Sequence, residues 1–317
     1  MRIAILDDYQ GVSERFADWS RLPPEAELTV FRDTLADEQA LVERLEPFNI
    51  VCLMRERTPF PASLIRQLPN LKLIVTTGQK NAAIDVAAAR AQGVTVCGTQ
   101  SPGHATAELT MALILAQARM LVSENASMRE GGWQVSLGRD LRGATLGIIG
   151  LGRLGGQVAT YAKAFGMKLL AWSENLTQER CDELGVEKAA SKQDLLKRAD
   201  FVTIHQRLSS RTRGLIGPED FAVMKPDAYL VNTSRGEIVH WQALLDALEA
   251  GQLAGAALDV YDVEPLPADH PLRASRKLLL TPHIGYVTRE TYEVFYGQTL
   301  EAVLAFLKGE PIRVMEG

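Results

Sequence analysis

The sequence predicts an α/β protein built on two doubly wound parallel sheets, and three observations carry that expectation. Short apolar runs rich in β-branched residues alternate with helical patterns through the N-terminal third of the chain. The same alternation starts again from Thr145. At that restart, the apolar run Leu146-Gly147-Ile148-Ile149 leads directly into Gly150-Leu151-Gly152-Arg153-Leu154-Gly155, a glycine triplet set between a strand and a helix.

Taken in order, Ile3–Leu6, Leu28–Phe31, Ile50–Met54, Leu71–Thr76 and Val94–Cys97 read as strands. Helices are expected between them at Glu38–Leu45, Ala62–Gln67 and the alanine-rich Ala82–Ala91, which ends at Gly93. One long helix is expected from about Thr106 to Met128, because apolar residues recur there at helical spacing. Beyond the glycine turn, Gln157–Phe165 and Trp241–Glu249 read as helices. Lys168–Trp172, Phe201–Ile204, Tyr229–Val231, Ala256–Val260 and Leu278–Leu280 read as strands, and a last helix covers about Glu290–Leu307. Ligand sites are expected at the carboxyl ends of the strands.

Composition narrows the function classes. A chain of 317 residues suits about two domains, and 46% apolar with 23% charged residues can bury real cores. The net charge of −5 and the scattering of Lys and Arg argue against nucleic acid as a partner. No apolar stretch reaches membrane-spanning length, and Met1-Arg2-Ile3-Ala4-Ile5-Leu6-Asp7-Asp8 lacks a signal-peptide layout. The expectation is a cytoplasmic protein with no membrane partner. Cys52, Cys97 and Cys181 stand apart and form no CxxC pair, as expected of small buried hydrophobes in a reducing compartment. No metal-ligand cluster is visible in the sequence.

The glycine turn has a physical purpose. Gly150 permits a tight turn, Gly152 lets backbone N–H groups approach a pyrophosphate, and Gly155 lets the helix pack closely on its strand. The helix N-terminus adds unsatisfied N–H groups and a favourable dipole. Further on, three polar loops each follow an apolar strand: Asn232-Thr233-Ser234-Arg235-Gly236, Asp259-Val260-Tyr261-Asp262-Val263-Glu264-Pro265, and Thr281-Pro282-His283-Ile284-Gly285. Arg235 can hold a carboxylate in a bidentate fork. His283 can exchange a proton with a carbonyl or alcohol oxygen. Glu264 can hold the imidazole in one tautomer and favour its protonated form.

These segments, with Thr106-Ala107-Glu108 opening the long helix and Leu141-Arg142-Gly143 before the glycine turn, resemble the D-isomer-specific 2-hydroxyacid dehydrogenases over nearly the whole chain. That family includes glyoxylate/hydroxypyruvate reductases, phosphoglycerate dehydrogenases and D-lactate dehydrogenases. The resemblance implies a flavodoxin-like substrate domain of residues 1–99 and 287–317, with a Rossmann dinucleotide domain of residues 100–286 inserted into it. It also implies two crossover helices acting as hinges and a homodimer. The implied reaction is hydride transfer between nicotinamide C4 and C2 of a small 2-oxo acid of the glyoxylate or hydroxypyruvate kind, giving the D-hydroxy acid. Arg235, Glu264 and His283 are the implied catalytic set. Gly150, Gly152, Arg153, Leu154, Gly155, Ser173, Glu174, His205, Arg207, Thr212, Thr233, Ser234, Asp259 and Gly285 are the implied cofactor positions, with Asp259 on the nicotinamide carboxamide. Backbone N–H groups at Gly78, Gln79 and Lys80, together with Arg235, are expected to hold the substrate carboxylate.

The chain departs from the family pattern in places. Lys80 stands where a second glycine is usual, and Arg207 replaces a common proline. Arg55 and Arg57 follow the strand ending near Met54, where they could reach an anionic substrate tail, but they are expected at the surface, and His104 is expected to be structural. Ser173 occupies the position, about 20 residues after the glycine turn, where NAD-specific folds place Asp or Glu. No Arg or Lys follows directly to clamp a 2′-phosphate, so NAD is the expected cofactor, with NADP an open alternative. Two other functions are compatible with the catalytic set: a phosphite-type dehydrogenase, and a nucleotide-sensing binding protein on this scaffold. A formate dehydrogenase fits less well, because those enzymes generally carry Gln in place of Glu264.

Overall fold

In the computed structural model, which describes residues 1–316, the strands form two parallel sheets. The first contains β1 (Arg2–Ile5), β2 (Glu27–Val30), β3 (Ile50–Leu53), β4 (Leu73–Thr76) and β5 (Thr95–Gly98), in the order β2-β1-β3-β4-β5. Every residue of β3 and β4 is buried, as expected where helices cover both faces of a parallel sheet. The order reverses between β1 and β3, which is the flavodoxin-like switch point.

The second sheet contains β6 (Thr145–Ile149), β7 (Lys168–Trp172), β8 (Glu187–Lys188), β9 (Phe201–Ile204), β10 (Tyr229–Asn232), β11 (Gly255–Leu258) and β12 (Leu278–Leu280). Its order, β12-β11-β10-β9-β6-β7-β8, is that of a Rossmann sheet with one added strand. Two compact units result: Met1–Pro102 together with the chain from Val287 onward, and Gly103–Tyr286. In the first unit, helix Arg289–Leu307 buries Tyr292, Phe295, Tyr296, Leu300 and Val303. The segment after it runs antiparallel to β5, with Met315 N–H donating to Val96 O at 2.8 Å and Gly98 N–H to Arg313 O at 3.0 Å. That pairing covers an otherwise open sheet edge.

Several elements differ from expectation. The long helix is two helices, Ala105–Ala118 and Leu121–Arg129, meeting at 63°. Met120 breaks it with a left-handed φ of 50°, a conformation no local propensity of Arg119-Met120 announces. Helical spacing continues across the break although the first helix is buried and the second buries nothing. The glycine-turn helix begins at Arg153 rather than Gln157, because its first turn contains Gly155 and Gly156, which propensity discounts. The alanine-rich helix begins only at Val86, where the Asp85 carboxylate caps it by accepting from Ala88 N–H at 2.8 Å. Strand β8 and helices Gln178–Leu184 and Lys192–Arg198 were not expected. Among the described residues, no single helix is long and apolar enough to cross a membrane. The three cysteines are free and buried, and burial pushes the Cys52 thiol up to about 12.

Candidate active site

The glycine turn leaves β6 as its sequence suggests. Gly150 has φ 101°, and a Cβ there would lie 2.6 Å from His205 O. A Cβ on Gly155 would fall 2.0 Å from Gly150 O, so side chains are barred from both positions. A Cβ on Gly152, by contrast, would meet nothing within 4 Å, and Gly152 caps helix Arg153–Ala164 without any side-chain bond. The first N–H groups of that helix are left for an incoming anion, so the turn fits a dinucleotide pyrophosphate. Leu151 is buried, and the Arg153 guanidinium lies where a Gly103 Cβ would be.

Next along the sheet edge, Ser173 and Glu174 follow β7 directly, with Glu174 exposed and Ser173 half-buried. The nearest following cation is Arg180, whose Nε donates to Leu151 O at 3.2 Å while its guanidinium pairs with Glu183 at 2.9 Å. His205 follows β9, its Nε2 3.0 Å from Thr203 Oγ1 and its Nδ1 buried without a partner among the described residues. Burial pulls its pKa down to about 4, so the imidazole is neutral. Arg207 is exposed, and the Thr212 hydroxyl closes its loop by donating to Arg207 O at 2.6 Å. Thr233 is 2.9 Å from the Thr110 hydroxyl, and Ser234 Oγ donates to Ile204 O at 2.7 Å. These hydroxyls brace the sheet edge.

Arg235, Glu264 and His283 lie on loops that follow three adjacent strands, β10, β11 and β12. His283 Nδ1 is 2.5 Å from Glu264 Oε2, and Glu264 Oε1 accepts from Tyr261 N–H at 2.9 Å. Both oxygens of the Glu264 carboxylate are thus engaged, and the imidazole is held by one nitrogen. His283 adopts φ 51°, strained for a residue with a Cβ. Its loop is fixed by Asp259, which accepts from Thr281 Oγ1 at 2.6 Å, Ile284 N–H at 2.8 Å and Gly285 N–H at 2.9 Å. Asp259 is 1% exposed, and burial raises its pKa against those donors. Asn232 Nδ2 donates to Arg235 O at 2.9 Å, and Arg235 Nη1 donates to Ser234 O at 2.7 Å.

In the other unit, the loop after β4 turns at Gly78, with φ 94°. Gly78 N–H donates to Thr99 Oγ1 at 2.8 Å, so this amide is already engaged, while Gln79 and Lys80 are exposed. Arg55 and Arg57 depart from the surface expectation. Arg55 Nη1 donates to Thr77 O at 3.2 Å and lies 1.9 Å from where a Gly78 Cβ would sit. Arg57 Nη1 donates to Asp7 O at 2.7 Å and covers the Tyr9 ring at 4.4 Å. Both side chains fold back over the carboxyl edge of the sheet because buried backbone carbonyls there need donors.

Residues 111–285 match the profile of the D-isomer-specific 2-hydroxyacid dehydrogenase NAD-binding domain. A glyoxylate reductase from Aeropyrum pernix is 42% identical over 86% of the chain and 84% of its own length. The chain belongs to the D-isomer-specific 2-hydroxyacid dehydrogenases. It is an NAD-dependent oxidoreductase of 2-hydroxy and 2-oxo acids. A D-3-phosphoglycerate dehydrogenase from Methanocaldococcus jannaschii is 37% identical over 86% of the chain, which spans 52% of that relative's length. A phosphoglycerate oxidoreductase structure from Vibrio cholerae O395 superposes with a TM-score of 0.91 at 41% identity, covering 98% of this chain and 99% of that one.

For this dehydrogenase, reading the sequence left parts of the site's framework unassigned. Arg55 over Gly78 was missed because its left-handed φ of 54° turns the side chain back along the sheet edge. The bracing role of Asp259 was missed because its three donors come from a loop more than 20 residues away. Tyr261 was given no role, because nothing in the sequence signals its hydrogen bonds.

Proposed function

We propose that this dehydrogenase reduces small 2-oxo acids of the glyoxylate and hydroxypyruvate kind to D-2-hydroxy acids, with NADH preferred and NADPH an alternative. The observation that carries the reading is the 2.5 Å contact between His283 Nδ1 and Glu264 Oε2. It commits Nδ1 to the carboxylate and leaves Nε2 as the nitrogen that exchanges a proton with substrate oxygen. Bound nicotinamide supplies the hydride. Arg235 takes the substrate carboxylate and the developing charge on the carbonyl oxygen, while Glu264 supports the imidazolium. With the Gly78 amide engaged by Thr99 Oγ1, the backbone N–H groups of Gln79 and Lys80 are the loop's proposed donors to the carboxylate, and Arg55 is a half-buried cation on the same loop edge. Similarity to relatives named glyoxylate reductase supports the substrate size. Ser173, with Arg180 occupied elsewhere, supports NAD without barring NADP.

The test is kinetic. His283→Ala and Arg235→Ala should each lower kcat/KM for glyoxylate and hydroxypyruvate by about 10²–10⁴-fold. NADH affinity should stay near wild type, because neither side chain belongs to the glycine turn. Wild-type turnover in His283→Ala would refute the acid/base role, and silence across a 2-oxo acid panel with both cofactors would refute the substrate class.

The same reading includes a homodimer in a reducing cytoplasm. Helix Leu121–Arg129 and the segment after it expose Leu121, Val122, Met128, Trp133, Val135 and Leu137, the last 97% exposed. Such an apolar patch marks an interaction surface. The segment is nonetheless ordered, with Ser136 N–H donating to Glu124 Oε1 at 2.7 Å and Ser127 Oγ to Trp133 O at 2.8 Å. A second copy of the chain is the occupant proposed. Leu137→Asp should convert a dimer to a monomer in sedimentation, and a wild type sedimenting as a monomer would refute it.

A further inference from the structure

Tyr261 touches all three loops that carry the proposed catalytic set. Its N–H donates to Glu264 Oε1 at 2.9 Å. Its buried hydroxyl is 2.9 Å from Thr281 O, at the end of β12, and 3.1 Å from Leu258 O, at the end of β11. Its backbone packs against Gly236, where a Cβ would lie only 2.1 Å from Tyr261 C, so the residue after Arg235 is pressed onto this peptide. The ends of β11 and β12 and the loops after them also meet through the Thr281 N–H bond to Leu258 O and through the side chains of Glu264 and Asp259.

We infer that Tyr261 is a positioning residue for the reaction: its hydroxyl sets the spacing between the ends of β11 and β12, and so the distance and angle at which Glu264 meets His283. The inference rests on the proposed function, which makes that pair catalytic. The chemistry is purely geometric. The hydroxyl has one proton and two carbonyls within reach, so it ties two strand ends with a single rigid group. A short acid–imidazole contact is sensitive to such spacing, since a 1 Å misplacement can cost about 10²-fold in rate.

Tyr261→Phe removes only the oxygen. Each carbonyl it served keeps a backbone donor, Thr281 N–H on Leu258 O at 2.9 Å and His283 N–H on Thr281 O at 3.1 Å, so the variant should fold. The full-length enzyme is assayed with NADH and glyoxylate, as wild type, Tyr261→Phe, Glu264→Gln and the double variant. The expected result is a kcat lower by about tenfold in Tyr261→Phe, with KM for NADH unchanged. In the Glu264→Gln background the same substitution should change kcat less than twofold, because the carboxylate–imidazole ion pair it positions is already lost. A Tyr261→Phe kcat within twofold of wild type overturns the inference. So does an equal loss in both backgrounds, which would mark a merely structural tyrosine. If Glu264→Gln itself keeps wild-type kcat, it is the role of Glu264 in the proposed function that fails, and the two failures are told apart. Should Tyr261→Phe unfold, Tyr261→Met, which also lacks the hydroxyl, takes its place under the same cycle.

Discussion

Replacing His205 should change how this protein's stability depends on pH, and the structure sets the size of the effect. His205 Nδ1 is buried without a partner among the described residues, and burial lowers the ring from its ordinary 6.5 to about 4. The unfolded chain therefore takes up a proton near pH 6.5 that the folded protein refuses until about pH 4. The sign follows from linkage: the neutral ring's contribution is complete above pH 6.5 and is lost as pH falls toward 4. At about 1.4 kcal/mol per pH unit, the full loss is about 3 kcal/mol. That figure is an upper bound, because His205 as a residue is only partly buried. Gln at this position cannot titrate and can still reach Thr203 Oγ1, the partner of His205 Nε2. Urea unfolding of wild type and His205→Gln is compared at pH 7.5 and 4.5. The wild type should lose roughly 2 kcal/mol more than the variant between the two conditions. Stability curves that stay parallel across that range would refute the reasoning.

Gly155→Ala should destabilise the second unit by about 1–3 kcal/mol and weaken NADH binding, since its Cβ would fall 2.0 Å from Gly150 O; normal NADH titration would contradict this. Lys80→Met should leave KM for glyoxylate within about twofold, because the side chain is exposed, and a tenfold rise would place its ammonium in the site. Ser173→Asp should raise the NADH:NADPH ratio of kcat/KM by about tenfold or more, read from both cofactors in both proteins. A wild type already preferring NADPH by about 100-fold would overturn the NAD preference.

The second sheet was largely legible in the sequence because its information is local. The alternation of β-branched runs with helices, and the glycines at 150, 152 and 155, specify a strand–turn–helix whatever surrounds it. Arg235, Glu264 and His283 were legible as candidates for the same reason, since each follows an apolar strand and so falls at a carboxyl edge. What the tertiary structure decided is what those edges do together. Strand order put the three loops on neighbouring strands, and only then could His283 find Glu264, Asp259 seize the His283 loop, and Tyr261 bridge two strand ends. The break at Met120 and the reversal of Arg55 over Gly78 rest on single left-handed residues, which packing selects against local preference. Spacing along a chain determines which face or edge a residue occupies, whereas distances of 2.5–3 Å between residues 20 apart are settled by the sheet that aligns them.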